Sequence, residues 1–455
     1  MNKISKRSKI LYALVVTFLV GVCILSVTLV GNAEKWAMNK ANKHLYDNGQ
    51  LISAGTIYDR NGIILAQTVD GKREFNKSKD IRLSTLHTVG DLSGFIATGA
   101  HTAFKSELTG YSLINGVYAL KKDGAGHDLN LTIDANLSVT ALQALGRNKG
   151  TIGVYNYKTG DILCMVSNPT FDINNKPKDI DTDQTGKYEG IYLNRFLSGV
   201  FTPGSTFKIV TAASAIKNIP DIDSQTFTCT GSYKTSTGVV KCNGVHGTLN
   251  FEQALNRSCN SAFAKIAEEL GNDNLTATAK EFGFNKRITI DGISVTKSFF
   301  DLTGAVSVDR GWAGIGQYKT LVNPCHMMTI MGAIASNGKS VAPHIVDDKT
   351  PSIFNSDSND LRYMDVSTAS KLSTMLRSNV INYYRDSKFP GLEMCGKTGT
   401  AQVQGKKDHA WFVGFSQRSD APLAIVVLLE NNGGTGIGDA VPVANKVMQA
   451  AVELT

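Results

Sequence analysis

No Cys-x-x-Cys pair and no His-Glu-x-x-His run occurs in the chain, although it carries seven cysteines and eight histidines. The commonest sequence signatures of a zinc site are missing, and spacing alone points to no metal and no cofactor. Seven is odd, so at least one thiol stays free unless it pairs outside the chain. Beyond the first nine residues there is no block of lysine or arginine, and the rest of the formal +8 charge is spread along the chain. No nucleic-acid partner follows from such a distribution; a mildly basic surface suits an anionic wall or membrane, or is simply solvated. A βαβ rhythm is also absent. Helical and strand-like runs interleave irregularly, which favours an α+β domain with an antiparallel sheet.

Long apolar runs are scarce, with one exception. Ile10 to Val30 is 21 residues without a charge, about 30 Å of helix and so the thickness of a bilayer's hydrocarbon core. Lys3, Lys6, Arg7 and Lys9 precede it, and the positive-inside rule then keeps residues 1–9 in the cytoplasm and the main chain outside. A cleavable signal peptide competes, since Gly31-Asn32-Ala33 offers a small-residue cleavage site, but the run exceeds the usual h-region of about 7–15 residues. The expected division is a tail (1–9), a transmembrane anchor (10–31), a small accessory module (32–127) and a catalytic domain (128–455). With 42% hydrophobic and 19% charged residues, 455 residues are enough for two or three domains with cores of their own.

In the accessory module, Asn61-Gly62 reads as a turn between strand-like runs, and the chain from there to Gly126 is weakly periodic. Asp128 to Ile133 alternates as a strand does, and Asp134 then caps a helical pattern through Leu137, Val139, Leu142 and Leu145. Thr151 to Val154 and Asp161 to Val166 read as strands of a hairpin. After Pro203-Gly204, Ser205 to Ile216 has helical spacing, so Ser205 is expected at a helix N-terminus. A second helix fits Phe251 to Leu270, with Ser258 in it or at a break. Ala410 to Phe415 and Leu423 to Leu429 are strand-like. Cys229 and Cys242, 13 residues apart in a Thr/Ser/Gly-rich segment, are spaced for a disulfide that would add about 3 kcal/mol by restricting the unfolded chain.

Three short motifs follow one another in order: Ser205-Thr206-Phe207-Lys208, Ser258-Cys259-Asn260 and Lys397-Thr398-Gly399-Thr400. Each is common by chance. Ser294-Val295-Thr296-Lys297 is a second SxxK, and Lys158-Thr159-Gly160, a second KTG, falls in the expected hairpin turn. On a helix, residues three apart share a face, so Lys208 can reach the Ser205 hydroxyl. To act as a base near neutral pH, Lys208 needs a pKa about three units below the ordinary value near 10.4, from burial and a neighbouring cation such as Lys397. Ser258 and Asn260 would add a proton-relaying hydroxyl and an orienting amide. Lys397, Thr398 and Thr400 would meet a substrate carboxylate, and Gly399 would let a substrate strand come close. The amides of Ser205 and Thr400 are candidate oxyanion donors.

With these residues in place, the chain resembles the penicillin-binding proteins, specifically the monofunctional class B transpeptidases. The resemblance runs from about Leu131 to Leu454 and includes Asn168-Pro169, Asn194-Arg195, Pro203 to Lys208, Ser258 to Asn260, Gly314-Ile315-Gly316-Gln317, Lys397 to Gln402 and Trp411-Phe412-Val413-Gly414. It implies the serine β-lactamase/penicillin-binding transpeptidase-like fold, with a five-stranded antiparallel sheet between helical layers and a pedestal module next to the anchor. It also implies that Ser205 attacks the penultimate D-alanine carbonyl of a peptidoglycan stem peptide, that an amine from a neighbouring peptide resolves the acyl-enzyme, and that β-lactams acylate the same serine. About 100 residues between anchor and transpeptidase are too few for a glycosyltransferase domain, so the implied polymerising partner is a polytopic SEDS-type glycosyltransferase. Cys259, inside the second motif, and Cys395, two residues before Lys397, depart from the family pattern and raise the question of an oxidisable site.

Competing readings share the motifs. A D,D-carboxypeptidase or β-lactam-hydrolysing enzyme normally lacks pedestal and anchor. A β-lactam-sensing receptor needs a cytoplasmic effector that nine residues cannot form. A non-catalytic scaffold of the wall machinery would have little use for intact motifs.

Overall fold

The charge-free run forms the middle of one long helix, α1 (Asn2–Ala37), whose apolar side chains from Ile10 to Val30 are exposed. Among the described residues it is the one helix long and apolar enough to cross a membrane. The computed structural model describes residues 2–43, 45–47, 50–51, 54–111, 126–347 and 361–454, so part of the weakly periodic stretch before Gly126 lies outside the described residues. The chain divides into a small unit (Met1–Ile57, Ala66–Glu74, Phe104–Leu129) and a large one (Tyr58–Leu65, Phe75–Ala103, Asn130–Thr455).

Within the small unit, the buried Arg73 donates to the carbonyls of Ala54 (3.0 Å) and Gly55 (2.7 Å). Burial lowers its pKa to about 10, with the Asp128 carboxylate acting in the opposite direction. Glycine is required at 55 because a Cβ would lie 2.0 Å from the His127 carbonyl oxygen.

In the large unit, Asp134 caps α2 (Ala135–Leu145) as expected, accepting from the Leu137 N–H at 2.7 Å. The strand pattern before it shortens to Leu129–Asn130. Next come β1 (Gly150–Asn156) and β2 (Ile162–Asn168). Asn156 Oδ1 accepts from the N–H groups of Lys158 and Thr159 in the turn between them, which makes the second KTG an ordinary hairpin turn. The second SxxK starts on a short strand, Ile293–Val295, instead of a helix.

The helices α3 (Lys208–Asn218), α4 (Asn260–Glu281, kinked at Gly271), α5 (Pro324–Ala335) and α6 (Val366–Asn379) follow. Then come β3 (Met394–Ala401), β4 (His409–Ser416), β5 (Leu423–Leu429) and the closing helix α7 (Val441–Val452). The five strands make one antiparallel sheet in the order β3-β4-β5-β1-β2. Alternation places Ile152, Val154, Val166, Phe412, Ile425 and Val427 on one face, where they pack against Leu137, Ala141 and Leu145 of α2 and Val447 and Met448 of α7. Helix α5 packs on β1, β4 and β5, so closely that a Cβ at Gly332 would lie 1.8 Å from Tyr155 Oη. A sheet between helical layers, with β3 on its edge, is the frame on which the three motifs meet.

Candidate active site

Ser205 lies in a 3-10 turn, Gly204–Phe207, and α3 proper begins only at Lys208. Gly204 explains the delay. Its φ of +52° is open to glycine, and a Cβ there would lie 2.7 Å from Thr400 O and 3.0 Å from Ala401 Cα. The turn can thus lie directly against β3. It is held on other sides by Gly204 N–H donating to Gly316 O (3.0 Å), by Trp411 Nε1–H donating to Thr202 O (3.0 Å), and by buried Phe207 stacked on Phe300 at 5.0 Å.

One turn on, the fully buried Lys208 Nζ lies 3.1 Å from Ser205 Oγ, 2.6 Å from Ser258 O, 3.2 Å from Ser258 Oγ and 2.7 Å from Asn260 Oδ1. Ser258 sits at a break between the helix Phe251–Asn256 and α4, with φ of +52°. The break turns both its carbonyl and its hydroxyl onto Lys208. Asn260 is fixed in turn by donating Nδ2–H to Lys241 O at 3.1 Å.

Lys397 Nζ lies 3.0 Å from Ser258 Oγ and 3.1 Å from Thr398 O, and is likewise fully buried. Burial pushes Lys208 down to about 7. Burial first, and the charge of Lys208 second, holds Lys397 well below its ordinary value. The like-charge effect thus falls on Lys397, whereas the sequence reading assigned it to Lys208. Two ammonium groups joined through one hydroxyl and removed from water favour losing a proton.

On β3 the third motif divides. Thr400 lines a cavity of about 340 Å³ together with Gly204, Ser205, Lys241, Asn260 and Gln317. Thr398 is not among the lining residues; its Oγ1 lies 2.9 Å from Tyr384 Oη, and its N–H donates to the same oxygen at 2.8 Å. Tyr384 comes from a π-helical turn, Val380–Arg385, a feature no sequence pattern announced. At Gly399 the close approach that demands glycine is made by the chain itself, a Cβ being 2.7 Å from Pro203 O. The Gln317 side-chain amide pairs with the Gln402 backbone at 3.1 and 3.3 Å, on the cavity wall. The geometry places a hydroxyl beside a buried, depressed amine, a second hydroxyl bridging two amines, and an edge strand along one wall.

The cysteines depart from the expected pairing. Cys229 and Cys242 are both free, and instead of bonding to one another each places Sγ 3.5 Å from His246 Nδ1. Cys259 joins them, and the four donor atoms all lie within 4.8 Å of one another. No linear spacing announces this cluster, because its members come from the end of one strand, the loop 242–246 and a helix start. Cys395, by contrast, is buried against Ser373 O (3.7 Å) and pushed up to about 12 by desolvation, so it packs as a small apolar residue.

Residues 150–449 match the family model of the penicillin-binding protein transpeptidase domain. The chain is 26% identical over 365 residues to a peptidoglycan D,D-transpeptidase, PbpA, of Mycolicibacterium smegmatis, covering 73% of this chain and 74% of that one. It is 28% identical over 361 residues to the stage V sporulation protein D of Bacillus subtilis, covering 73% and 54%. Among solved structures, the D,D-transpeptidase domain of a peptidoglycan glycosyltransferase from Eggerthella lenta superimposes with a TM-score of 0.75 at 26% identity, covering 89% of this chain and 99% of that one.

Proposed function

The chain belongs to the penicillin-binding protein transpeptidase family, and from that premise we propose that it is a peptidoglycan D,D-transpeptidase working through an acyl-serine at Ser205. The observation that carries this reading is the position of Lys208 Nζ, 3.1 Å from Ser205 Oγ and held by Asn260 Oδ1 and Ser258 O. Neutral Lys208 takes the Ser205 proton as Oγ attacks the carbonyl carbon of the penultimate D-alanine. The amides of Ser205 and Thr400 receive the developing oxyanion. The proton passes through Ser258 Oγ to the nitrogen of the terminal D-alanine, the amide bond breaks, and D-alanine leaves. An amine from a second stem peptide then attacks the ester, loses its proton along the same route and restores the serine. Thr400, on the cavity wall, meets the terminal carboxylate of the substrate, while Lys397, buried behind that wall, holds the relay hydroxyl of Ser258. Thr398 supports that strand from behind, through Tyr384. A β-lactam, which mimics the D-Ala-D-Ala end, acylates the same oxygen.

Residues 1–9 form a cytoplasmic tail, 10–31 a single-pass anchor, 32–127 a pedestal and 128–455 the exocytoplasmic transpeptidase domain, paired with a SEDS-type glycosyltransferase that polymerises the glycan. Support comes from the long apolar helix and the four basic residues before its charge-free run. To test the reaction, the full-length protein in detergent is given a D-Ala-D-Ala pentapeptide and an excess of a labelled D-amino acid. Mass spectrometry should find the label exchanged for the terminal D-alanine. Release of tetrapeptide alone would replace transfer by hydrolysis, the carboxypeptidase reaction.

A further inference from the structure

We propose that Cys229, Cys242, His246 and Cys259 bind one structural zinc ion that holds the Ser258-Cys259-Asn260 corner in place. The geometry fits that ion. Zinc bonds of about 2.3 Å to sulfur and about 2.0 to 2.1 Å to nitrogen, arranged tetrahedrally, set sulfur–sulfur separations near ~3.8 Å and sulfur–nitrogen separations near ~3.5 Å. The structure has Cys242 Sγ 3.9 Å from Cys259 Sγ, and His246 Nδ1 3.5 Å from both Cys229 Sγ and Cys242 Sγ. A disulfide would bring two sulfurs to about 2.05 Å and strand the third. Three thiolates and one imidazole complete a four-coordinate set, the pattern of a closed structural site with no position left for substrate. Soft sulfur donors select zinc over calcium or magnesium.

The surroundings suit thiolates. The N–H of Asn260 donates to Cys242 Sγ at 3.2 Å and that of Ala262 to Cys259 Sγ at 3.4 Å, while Ser261 Oγ lies 3.4 Å from Cys229 Sγ. Such outer hydrogen bonds orient metal ligands and stabilise their charge. The segment that carries three of the four ligands also needs a staple. It consists of two ribbons, Thr226–Cys229 with Gly247–Asn250 and Ser232–Lys234 with Val239–Lys241, and isolated two-stranded ribbons are marginal in water. The ion would fasten this segment to the start of α4, where Cys259 stands between Ser258 and Asn260. Both supports of Asn260 lead there: its N–H meets Cys242 Sγ, and its side chain meets the carbonyl of the adjacent Lys241. The ion takes no part in the chemistry at Ser205. It fixes Asn260, and through it Lys208.

The full-length protein, purified in detergent without chelator, should contain about one zinc per chain by elemental mass spectrometry. Replacement by cobalt(II) should give the near-ultraviolet thiolate-to-cobalt absorption and the visible bands of a tetrahedral centre. Cys229→Ser and His246→Gln should lose the metal, whereas Cys325→Ser, buried elsewhere, should keep it. Stripping zinc should lower the thermal midpoint and slow acylation by a fluorescent penicillin at least about tenfold, and readded zinc should restore both. Zinc retained in the variant lacking all four ligands, or a Cys242–Cys259 disulfide found by peptide mapping of metal-free native protein, would overturn the site. Zinc bound at these residues with acylation indifferent to its removal would overturn the link to Asn260. Metal content and cobalt spectra read the site whatever reaction Ser205 carries.

Discussion

Ser258 Oγ stands 3.0 Å from Lys397 Nζ and 3.2 Å from Lys208 Nζ, so one hydroxyl joins two buried amines. A serine at a helix break, with a left-handed backbone, is what lets it reach both. This bridge makes the site a proton-handling unit, and its charge state sets the pH dependence.

Because burial lowers Lys208 to about 7, the fraction of neutral base grows as pH rises through that value. Stopped-flow acylation by a fluorescent penicillin should therefore gain nearly tenfold per pH unit below about pH 7 and level off above it. The linkage sign follows: between about 7 and the ordinary lysine value of 10.5 the unfolded chain binds the proton and the folded chain does not. Stability should rise with pH across that window, and Lys208→Met should reduce the rise while leaving the share of Lys397, which burial also depresses. A profile level from pH 5 to 9 would contradict a Lys208 that titrates near 7.

At Gly204 a Cβ would meet Thr400 O at 2.7 Å with φ at +52°. Gly204→Ala must strain the backbone or push the serine turn off β3. The expected outcome is a loss of about 1 to 3 kcal/mol in stability and a fall in acylation rate of at least tenfold, read by denaturant melts and labelling kinetics. Wild-type rates would show that the contact with β3 is dispensable.

Arg195, with only 3% of its side chain exposed, pairs through Nε with Glu430 at 2.7 Å and also donates to Gly190 O. Arg195→Met leaves the Glu430 carboxylate half of a buried pair, at a cost of about 3 to 5 kcal/mol. Thermal unfolding should show the loss, whereas Arg418→Met at the exposed pair with Asp420 should change little.

Sequence legibility followed how local each signal was. The Asp134 cap, the Asn156 turn and the strands flanking it rest on neighbouring residues, and all appear where the pattern placed them. The helix after Pro203 was legible in kind but started three residues late, because the contact of Gly204 with Thr400 is made across nearly two hundred positions. The motif residues converge, apart from Thr398, whose partner Tyr384 stands on a π-helical turn. The Cys229–Cys242 pairing was misread for the same reason: a cluster gathered from a strand end, a loop and a helix start has no linear spacing to read.

Whether Ser205 carries the acyl group is decided by labelling. Full-length protein and its Ser205→Ala variant would be incubated with a fluorescent penicillin and the label located by peptide mass spectrometry. The expected result is stoichiometric label on the Ser205 peptide and none in the folded variant. A folded wild-type protein that takes no label, or a variant that takes it as fast as wild type, would contradict it.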